Sequence, residues 1–561
     1  MSAHPTHASD SSTSPRQTPH DTGSRFAVDL RRLPGIRRLA ADYGSDFPAV
    51  APFFAGNPAD RAAWADAIAR ARVHTRDRRA IADVLAAQQE RRNAPPAARE
   101  AGAALANPQT VAVVTGQQAG LFGGPLFTLL KALTAIKLAR QVSSEHGVPA
   151  VAVFWIDAED HDWNEVRTTT VFDESLTPRE IALPETSGDA TPVGAIALDG
   201  SIDAALDALE QTLPGTEFRA EVMASLRNAY TQGTGMAEAF GRWLERTLGT
   251  QGLVVYDASD AAAKPLARAV FVRELSTPGA SASLAGKAGA TLEASGYHAQ
   301  VQPSEDGLGL FRLDGGRHAI KRKDGSFVAG DRPFASDELL READQQPSRF
   351  SPNVLLRPIV QDTLFPTVCY VAGPNELAYL CQLRDVYQHF GVPMPLLYPR
   401  ASATILDSGG MKFLMKNEMP LEALHAQDEA ALNDLLQQQM PPEVDASFAD
   451  ALASVESRMA RLIEVVPAVD ATLEGAARST LKRMQHDLET LHGKILQAAK
   501  RRDETLRRQF LRTRALAFPG GEAQERTIGF VWFLNQYGPA LVDRLLDTLP
   551  LELGKHWVLM V

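Results

Sequence analysis

The sequence predicts an α/β protein: a parallel sheet assembled from segments far apart in the chain, with small inserted subdomains and a C-terminal helical coiled coil. Three observations carry that expectation. First, a β-branched run, Thr110–Thr115 (TVAVVT), leads through a glycine-rich loop into Leu126 to Val142, and a second apolar run, Ala150–Ile156 (AVAVFWI), follows directly. The middle stretch has the 3.6-residue apolar spacing of a helix, with Lys131, Lys137 and Arg140 on its other face. Strand, helix, strand at this length is a βαβ unit with a right-handed parallel crossover. Second, further β-like runs at Leu253–Tyr256, Thr367–Val371 and Pro395–Tyr398 would complete the sheet. Third, apolar residues at 448, 452, 455, 459, 462, 466, 469 and 473 step by four and three, resuming at Leu481, Met484, Leu488, Leu491, Ile495 and Ala498. That heptad seam with charged flanks predicts a coiled coil rather than a long helix packed on its own domain. Pro467 inside it predicts a kink or an antiparallel helix pair.

The remaining segments follow in chain order. Residues 1–25 are rich in Ser, Thr, His, Pro and Asp and lack the apolar core of a secretory signal, so a disordered tail is expected. His4, His7 and His20 are scattered there and are not read as a metal tract. Residues 26–177 form the first part of the core, opening with Ala- and Arg-rich helices marked by Trp64–Ala67–Ile68–Ala71 and Ile81–Val84–Leu85. Two insertions, 178–250 and 276–350, flank a core segment at 251–275. The first holds β-like runs around Pro184 and Pro192. The second holds a meander at 307–330, with turns at Asp314-Gly315-Gly316 and Asp324-Gly325. Both read as accessory β-layers rather than catalytic parts. Residues 351–440 return to the core, 441–515 form the coiled coil, and 516–561 pack back on the core.

Composition bounds the function. An apolar fraction of 45% over 561 residues supports a large core, and a formal charge of −11 argues against coating a nucleic acid. The two cysteines, Cys369 and Cys381, exclude a disulfide-stapled scaffold, read as packing residues, and fit a reducing cytosol. No apolar run approaches the ~20 residues that cross a bilayer. A cytoplasmic protein with no membrane or nucleic-acid partner is expected.

In an open parallel sheet, ligands bind beyond the carboxyl ends of the strands. Three loops qualify. In the first, Gly116, Gly120, Gly123 and Gly124 permit close backbone approach, Gln117 and Gln118 add amides, and the helix starting at Pro125 offers free N–H groups to an anion. Neither GxxxxGK[ST] nor GxGxxG occurs here, and a tight structural turn is the alternative. The second loop concentrates Glu159, Asp160, His161 and Asp162, with Glu165 beyond. A histidine among carboxylates can move a proton; the alternative is a helix N-cap on Asp160 or Asp162. No second His or Cys cluster stands by, so no metal is expected. The third runs from Arg357 through Gln361-Asp362 and a strand to Gly373-Pro374-Asn375-Glu376, fitting a substrate amine or ribose. Arg400, after the strand ending at Tyr398, could fork onto a carboxylate or phosphate or simply lie on the surface.

Thr115 to Thr128 (TGQQAGLFGGPLFT) followed by Phe154 to Asp162 (FWIDAEDHD) closely resembles the bacillithiol biosynthesis cysteine-adding enzyme family, BshC. So do Ser351–Pro358 (SPNVLLRP), Gln361-Asp362-Thr363, Tyr370–Glu376 (YVAGPNE), Phe518-Pro519-Gly520, Gln524-Glu525-Arg526 and Tyr537-Gly538, and the likeness spans residues 25–561. The chain departs from the family's pattern at Gly123, Asp157 and Gly529. The resemblance implies a Rossmann-like core similar to class I aminoacyl-tRNA synthetases, with connecting-peptide insertions and a coiled coil that supports a homodimer. It also implies a ligase that joins cysteine to glucosaminyl-malate in the last step of bacillithiol biosynthesis. The catalytic residues expected are His161, Asp160, Asp162 and Glu159. Substrate would be held by Thr115, Gly116, Gln117, Gln118, Gly120, Gly124, Pro125 and Trp155, and by Arg357, Gln361, Asp362, Gly373, Pro374, Asn375, Glu376, Tyr398 and Arg400. An ATP or ADP ligand would meet Gln524, Glu525 and Arg526. Two alternatives stay open: a synthetase-like enzyme activating another amino acid, and a non-catalytic scaffold dimerising through residues 446–512.

Overall fold

The computed structural model describes residues 24–185, 191–438, 442–502 and 504–561. The expected tail therefore lies outside the described residues up to position 23, as does part of the first insertion (186–190).

Five strands build the core sheet: β1 (Val111–Gln117), β2 (Ala150–Ile156), β3 (Val254–Asp257), β4 (Thr367–Ala372) and β5 (Leu396–Pro399). Their order is β5-β4-β1-β2-β3, and every neighbouring pair is parallel. Both faces are covered, which is why these strands read as unbroken apolar runs. Side chains alternate between two cores: Val111, Val113, Phe154 and Ile156 pack on one face, Ala112, Val114, Val153 and Trp155 on the other. The chain reverses its progress across the sheet beside β1, so β1 and β4 bracket the topological switch point of a Rossmann-like fold, where the strand-end loops diverge and open a crevice.

The crossover helix α1 (Leu126–His146) is ended by Gly147 in the left-handed region (φ 64°). It is clamped between the sheet and the C-terminal segment and buried nearly all round. The polar face expected for it is incomplete. Lys131 is only 2% exposed, the Lys137 ammonium donates to Leu546 O, and Arg140 reaches outward to Gln251.

The first insertion is mostly helical. One hairpin, Thr168–Phe172 with Pro178–Ala182, precedes helices at Ser201–Thr212, Arg219–Ala229 and Met236–Leu248, and Pro192 leads into a 3₁₀ turn rather than a strand. The second carries an antiparallel sheet of Gly307–Leu313, Arg317–Lys323, Ser326–Ala329 and Arg332–Phe334, joined by Phe350–Pro352. That last strand leads through the turn 353–356 into the helix Arg357–Leu364, so the inserted sheet is tied to the approach to β4.

The C-terminal helices α2 (Pro442–Val465) and α3 (Leu473–Arg502) pack on one another as a hairpin whose turn contains Pro467. Among the described residues, no helix is long and apolar enough to cross a membrane. Both cysteines are buried and free. A three-stranded sheet not foreseen from sequence joins Arg25–Asp29, Lys555–Met560 and Ser402–Leu406. Under it, Arg400 forks onto Glu525 (2.7 and 2.9 Å), which also accepts from Ser402 Oγ (3.0 Å) and Ala403 N (3.0 Å). Burial works against the Glu525 charge, but Arg400 and these donors outweigh it and hold the carboxyl below its usual range.

His556 lies in the same layer, bonded to Ser402 Oγ (2.7 Å) and Thr404 Oγ1 (2.9 Å). Burial pushes its pKa down from 6.5 to about 4, with Glu525 pulling the other way. Between those values the unfolded chain binds a proton that the folded chain refuses. Stability is therefore full above pH 6.5 and falls as acid is added through that window, by up to about 1.4 kcal/mol per pH unit. Urea unfolding at pH 7 and pH 5 should register a loss of about 2 kcal/mol from this group. A His556→Gln variant should lose less, and an unchanged pH dependence would contradict the assignment.

Candidate functional site

The carboxyl ends of β1, β2, β4 and β5 converge with the inserted sheet on a cavity of about 680 Å³. β1 contributes Gly116 and Gln117, with Gln118 in the loop beyond. β2 contributes Trp155, with Asp157, Asp160 and His161 in the loop beyond. Gly373 to Glu376 follow β4, Arg400 follows β5, and Arg526 comes from the C-terminal segment.

At the switch point stands Lys131, which no sequence motif marked. Its ammonium donates to Gly116 O (2.6 Å) and Gln117 Oε1 (3.0 Å) and forms an ion pair with Glu376. Glu376 in turn accepts from Gly373 N (2.7 Å), capping the helix Pro374–Leu380, and from Tyr370 OH (2.6 Å). Burial opposes the Glu376 charge, but Lys131, Tyr370 and the Gly373 amide prevail and hold the carboxyl below its usual range. This ion pair, its ammonium buried and its carboxylate half-buried, thus fixes the loops after β1 and β4 relative to each other.

The acidic loop after β2 divides its residues between two tasks. Glu159 turns away from the cavity to pair with Lys264, both side chains being 6% exposed. Burial raises its carboxyl, and Lys264 opposes the rise. Asp162 caps the short helix Trp163–Val166, accepting from Glu165 N (3.2 Å). The catalytic roles expected of these two are thus set against structural ones: each carboxylate is committed to holding the loop. Asp160 and His161 face the cavity. Asp160 accepts from Gln118 Nε2 (2.6 Å), from the His161 amide (2.8 Å) and from Arg317 Nη1 (3.1 Å). Arg317 Nη1 also meets His161 Nδ1 at 3.2 Å. A guanidinium can only donate, so Nδ1 accepts and the imidazole proton is assigned to Nε2.

Arg317 belongs to the inserted sheet that the sequence suggested was merely accessory. It is anchored on Ser351 Oγ (3.1 Å) and Pro352 O (2.8 Å), and it stacks 3.9 Å from the Phe311 ring centre. The insertion therefore forms one wall of the site. No short motif announces such a residue, because strands distant in sequence bring it into place.

The third cluster also splits. Arg357 reaches the cavity, with Nη1 on Gln361 Oε1 (3.0 Å), Nη2 on Tyr379 OH (2.8 Å) and its guanidinium carbon 5.5 Å from the centre of the Tyr370 ring. Gln361 and Asp362 lie behind it. Gln361 also donates to Asp362 Oδ1 (2.9 Å), and Asp362 accepts from Tyr387 OH (2.5 Å). They buttress Arg357 and do not line the cavity. Tyr398 is likewise buried within β5, and Thr115 donates to Val371 O (3.0 Å) inside the sheet, so neither reaches the space where substrate was expected.

The glycine-rich loop is occupied by the protein itself. Leu126 N donates to Ile528 O (2.8 Å), and Phe530 N donates to Gly124 O (3.0 Å). A Cβ on Gly123 (φ 99°) would lie 2.2 Å from the Phe530 ring. Gly123, Gly124 and Pro125 therefore shape a seat for the C-terminal helix Phe530–Tyr537, Gly120 packs against Gly124 within the turn, and the first helical amide is not free for an anion. Of the expected nucleotide contacts, Gln524 is spent on the backbone of Ile405 and Leu516, and Glu525 on Arg400; Arg526 alone lines the cavity.

Two buried polar atoms on cavity-lining residues, Trp155 Nε1 and Gln118 Oε1, have no protein partner. They leave a donor and an acceptor beside the cavity. Among the described residues, no group of three or more His, Cys, Asp or Glu is placed to hold a metal ion.

Comparison with known proteins agrees with this architecture. A family model described as "Bacillithiol biosynthesis BshC, N-terminal Rossmann-like domain" matches residues 27–401, and one described as "Bacillithiol biosynthesis BshC, C-terminal coiled-coil domain" matches 403–561. Proteins named "Putative cysteine ligase BshC" are similar over nearly the whole chain. That of Salinibacter ruber is 36% identical over 526 residues, 93% of this chain and 96% of the relative. That of Koribacter versatilis is 35% identical over 532 residues (93% and 97%), and that of Geobacillus kaustophilus 31% over 534 (93% and 98%).

Proposed function

This chain belongs to the bacillithiol biosynthesis BshC family, and from that membership we propose that it is a cytosolic ligase joining the carboxyl group of L-cysteine to the amine of glucosaminyl-malate, the last step of bacillithiol biosynthesis. The observation that carries this reading is the cavity at the switch point. It gathers arginines, hydrogen-bonding carboxylates and an imidazole around one open cavity.

Amide formation requires the amine to attack the cysteine carboxyl carbon, to lose a proton, and to expel an oxygen leaving group. A free carboxylate is a poor electrophile, and ATP consumed as a co-substrate is the activator we propose: its phosphoryl or adenylyl group passes to a carboxyl oxygen, which then leaves with that group as phosphate or AMP. The glycine-rich turn, whose amides the sequence offered to an anion, does not fit its phosphates, because Phe530 and Ile528 close it. The chain's own residues act on the other groups. His161, with its proton on Nε2, donates to the carboxyl oxygen that gains charge as the amine attacks. Asp160, held by Gln118 and Arg317, accepts from the amine and aligns it. Asn375, exposed at the cavity mouth, contacts the sugar, whereas Glu376 acts indirectly by holding Lys131.

The helical hairpin leaves Val469 85% exposed, Val465 60%, Leu491 52% and Leu462 46%. We propose that a second copy covers this seam, giving a homodimer. Sedimentation of a Val465→Glu/Leu491→Glu variant should show a monomer where the parent is a dimer; an unshifted dimer would place the contact elsewhere.

Purified protein supplied with L-cysteine, glucosaminyl-malate and ATP should form the amide. His161→Ala should slow it by about 10²- to 10⁴-fold while the fold is retained. Undiminished turnover in that variant would remove His161 from the chemistry.

A further inference from the structure

Of the charged residues lining the cavity, Arg357 and Asp157 lack opposite partners among the described residues although they lie on its inner wall. The Arg357 guanidinium is 7% exposed, yet it donates only to the neutral acceptors Gln361 Oε1 and Tyr379 OH. Among the described residues it forms no ion pair, whereas Lys131, Arg317 and Arg400 are paired with Glu376, Asp160 and Glu525. Facing the same space is Asp157, the first residue after β2. Its amide is fixed to Gln117 O (3.0 Å), but its carboxylate makes no hydrogen bond or ion pair among the described residues. Burial raises the Asp157 carboxyl, and Arg357 is the largest influence against that rise, so the two groups sense one another without touching.

A secluded cation and a secluded carboxylate that merely neutralised each other would be in contact, because held apart each bears its own desolvation cost. Held apart, they frame a gap suited to a molecule carrying both charges. Position sharpens the choice. Arg357 is buried and Asp157 half-buried, while His161, Asn375 and Arg526 are exposed at the cavity mouth. A small ligand belongs at the floor and a larger, hydroxyl-rich one at the entrance.

We propose that Asp157 and Arg357 form a slot for the zwitterionic head of a free α-amino acid, its ammonium on Asp157 and its carboxylate on the remaining guanidinium N–H groups of Arg357. Asp157 is a position where this chain departs from its family's pattern, so the ammonium contact is this chain's own; that the occupant is L-cysteine rests on the ligase reading, whereas the recognition chemistry does not.

Calorimetric titration of the full-length protein under reducing conditions tests this with three ligands: L-cysteine, cysteamine, which lacks the carboxylate, and 3-mercaptopropionate, which lacks the amine. Each truncated ligand should bind about tenfold or more weakly than cysteine. Asp157→Asn, nearly isosteric, should weaken cysteine by a similar factor and leave 3-mercaptopropionate unchanged. Arg357→Lys should weaken cysteine and leave cysteamine unchanged; should that variant misfold, the Asp157→Asn comparison decides. Equal binding of the three ligands, no binding of any α-amino acid, or cysteine affinity untouched by Asp157→Asn overturns the slot. Binding of a different α-amino acid with the same loss in Asp157→Asn supports the slot and overturns the cysteine ligase reading. Displacement of bound cysteine by glucosaminyl-malate, with its own affinity also cut by Asp157→Asn, would overturn the assignment of the floor to the amino acid.

Discussion

Lys131 carries a positive charge into the crevice between β1 and β4, where it is almost wholly cut off from water. An ammonium there is tolerable only if its hydrogens and its charge are all answered. Gly116 O, Gln117 Oε1 and Glu376 answer them, and Glu376 is itself fixed by Tyr370 and the Gly373 amide. The arrangement joins two strand ends that are remote in sequence. Around it the cavity takes shape: Gln117 and Gln118 on one side, Gly373 to Asn375 on the other, and the β2 loop above.

The walls of the cavity come from outside the core sheet. Arg317 reaches from the inserted sheet to Asp160 and His161, so the imidazole tautomer depends on a segment that contributes nothing to the Rossmann-like core. The C-terminal segment plays the complementary part. Phe530 fills the hollow over Gly123, and Glu525 neutralises Arg400 from behind. A glycine-rich turn that elsewhere would accept phosphate oxygens here accepts an aromatic ring. This chain thus keeps the strand–loop–helix plan at the switch point while giving the loop a packing role, and polar groups without a charged partner lie on the β2 loop and the helix before β4.

How much of this was legible in the sequence follows from where each signal originates. The five core strands could be read because burial on both faces leaves continuous apolar runs, and Ala150–Ile156 was bounded correctly at both ends. The heptad spacing and Pro467 foretold the hairpin for the same reason: the constraint is local. The three-stranded sheet of Arg25–Asp29, Ser402–Leu406 and Lys555–Met560 was not foreseen, since its short strands acquire meaning only when three remote segments meet. Lys131 was assigned to a polar face because lysine is usually solvated, although Leu129, Leu130, Ala132 and Leu133 around it were a warning that this turn is enclosed. In the acidic loop, clustering drew attention to the right place, but only the fold separates Asp160 and His161, which face the cavity, from Glu159 and Asp162, which hold the loop. Arg317 had no local signal at all.

The central claim is that the Lys131–Glu376 pair holds the site's two principal loops together, and a double-mutant cycle of Lys131→Met and Glu376→Gln tests it most directly. Each single variant strands a buried charge or a buried set of donors, and should lose about 3–5 kcal/mol in urea unfolding together with affinity for glucosaminyl-malate. The double variant should lose no more than either single variant alone, so that the losses fall short of additivity by about 3 kcal/mol or more. Additive single losses, or single variants as stable as the parent, would contradict the account.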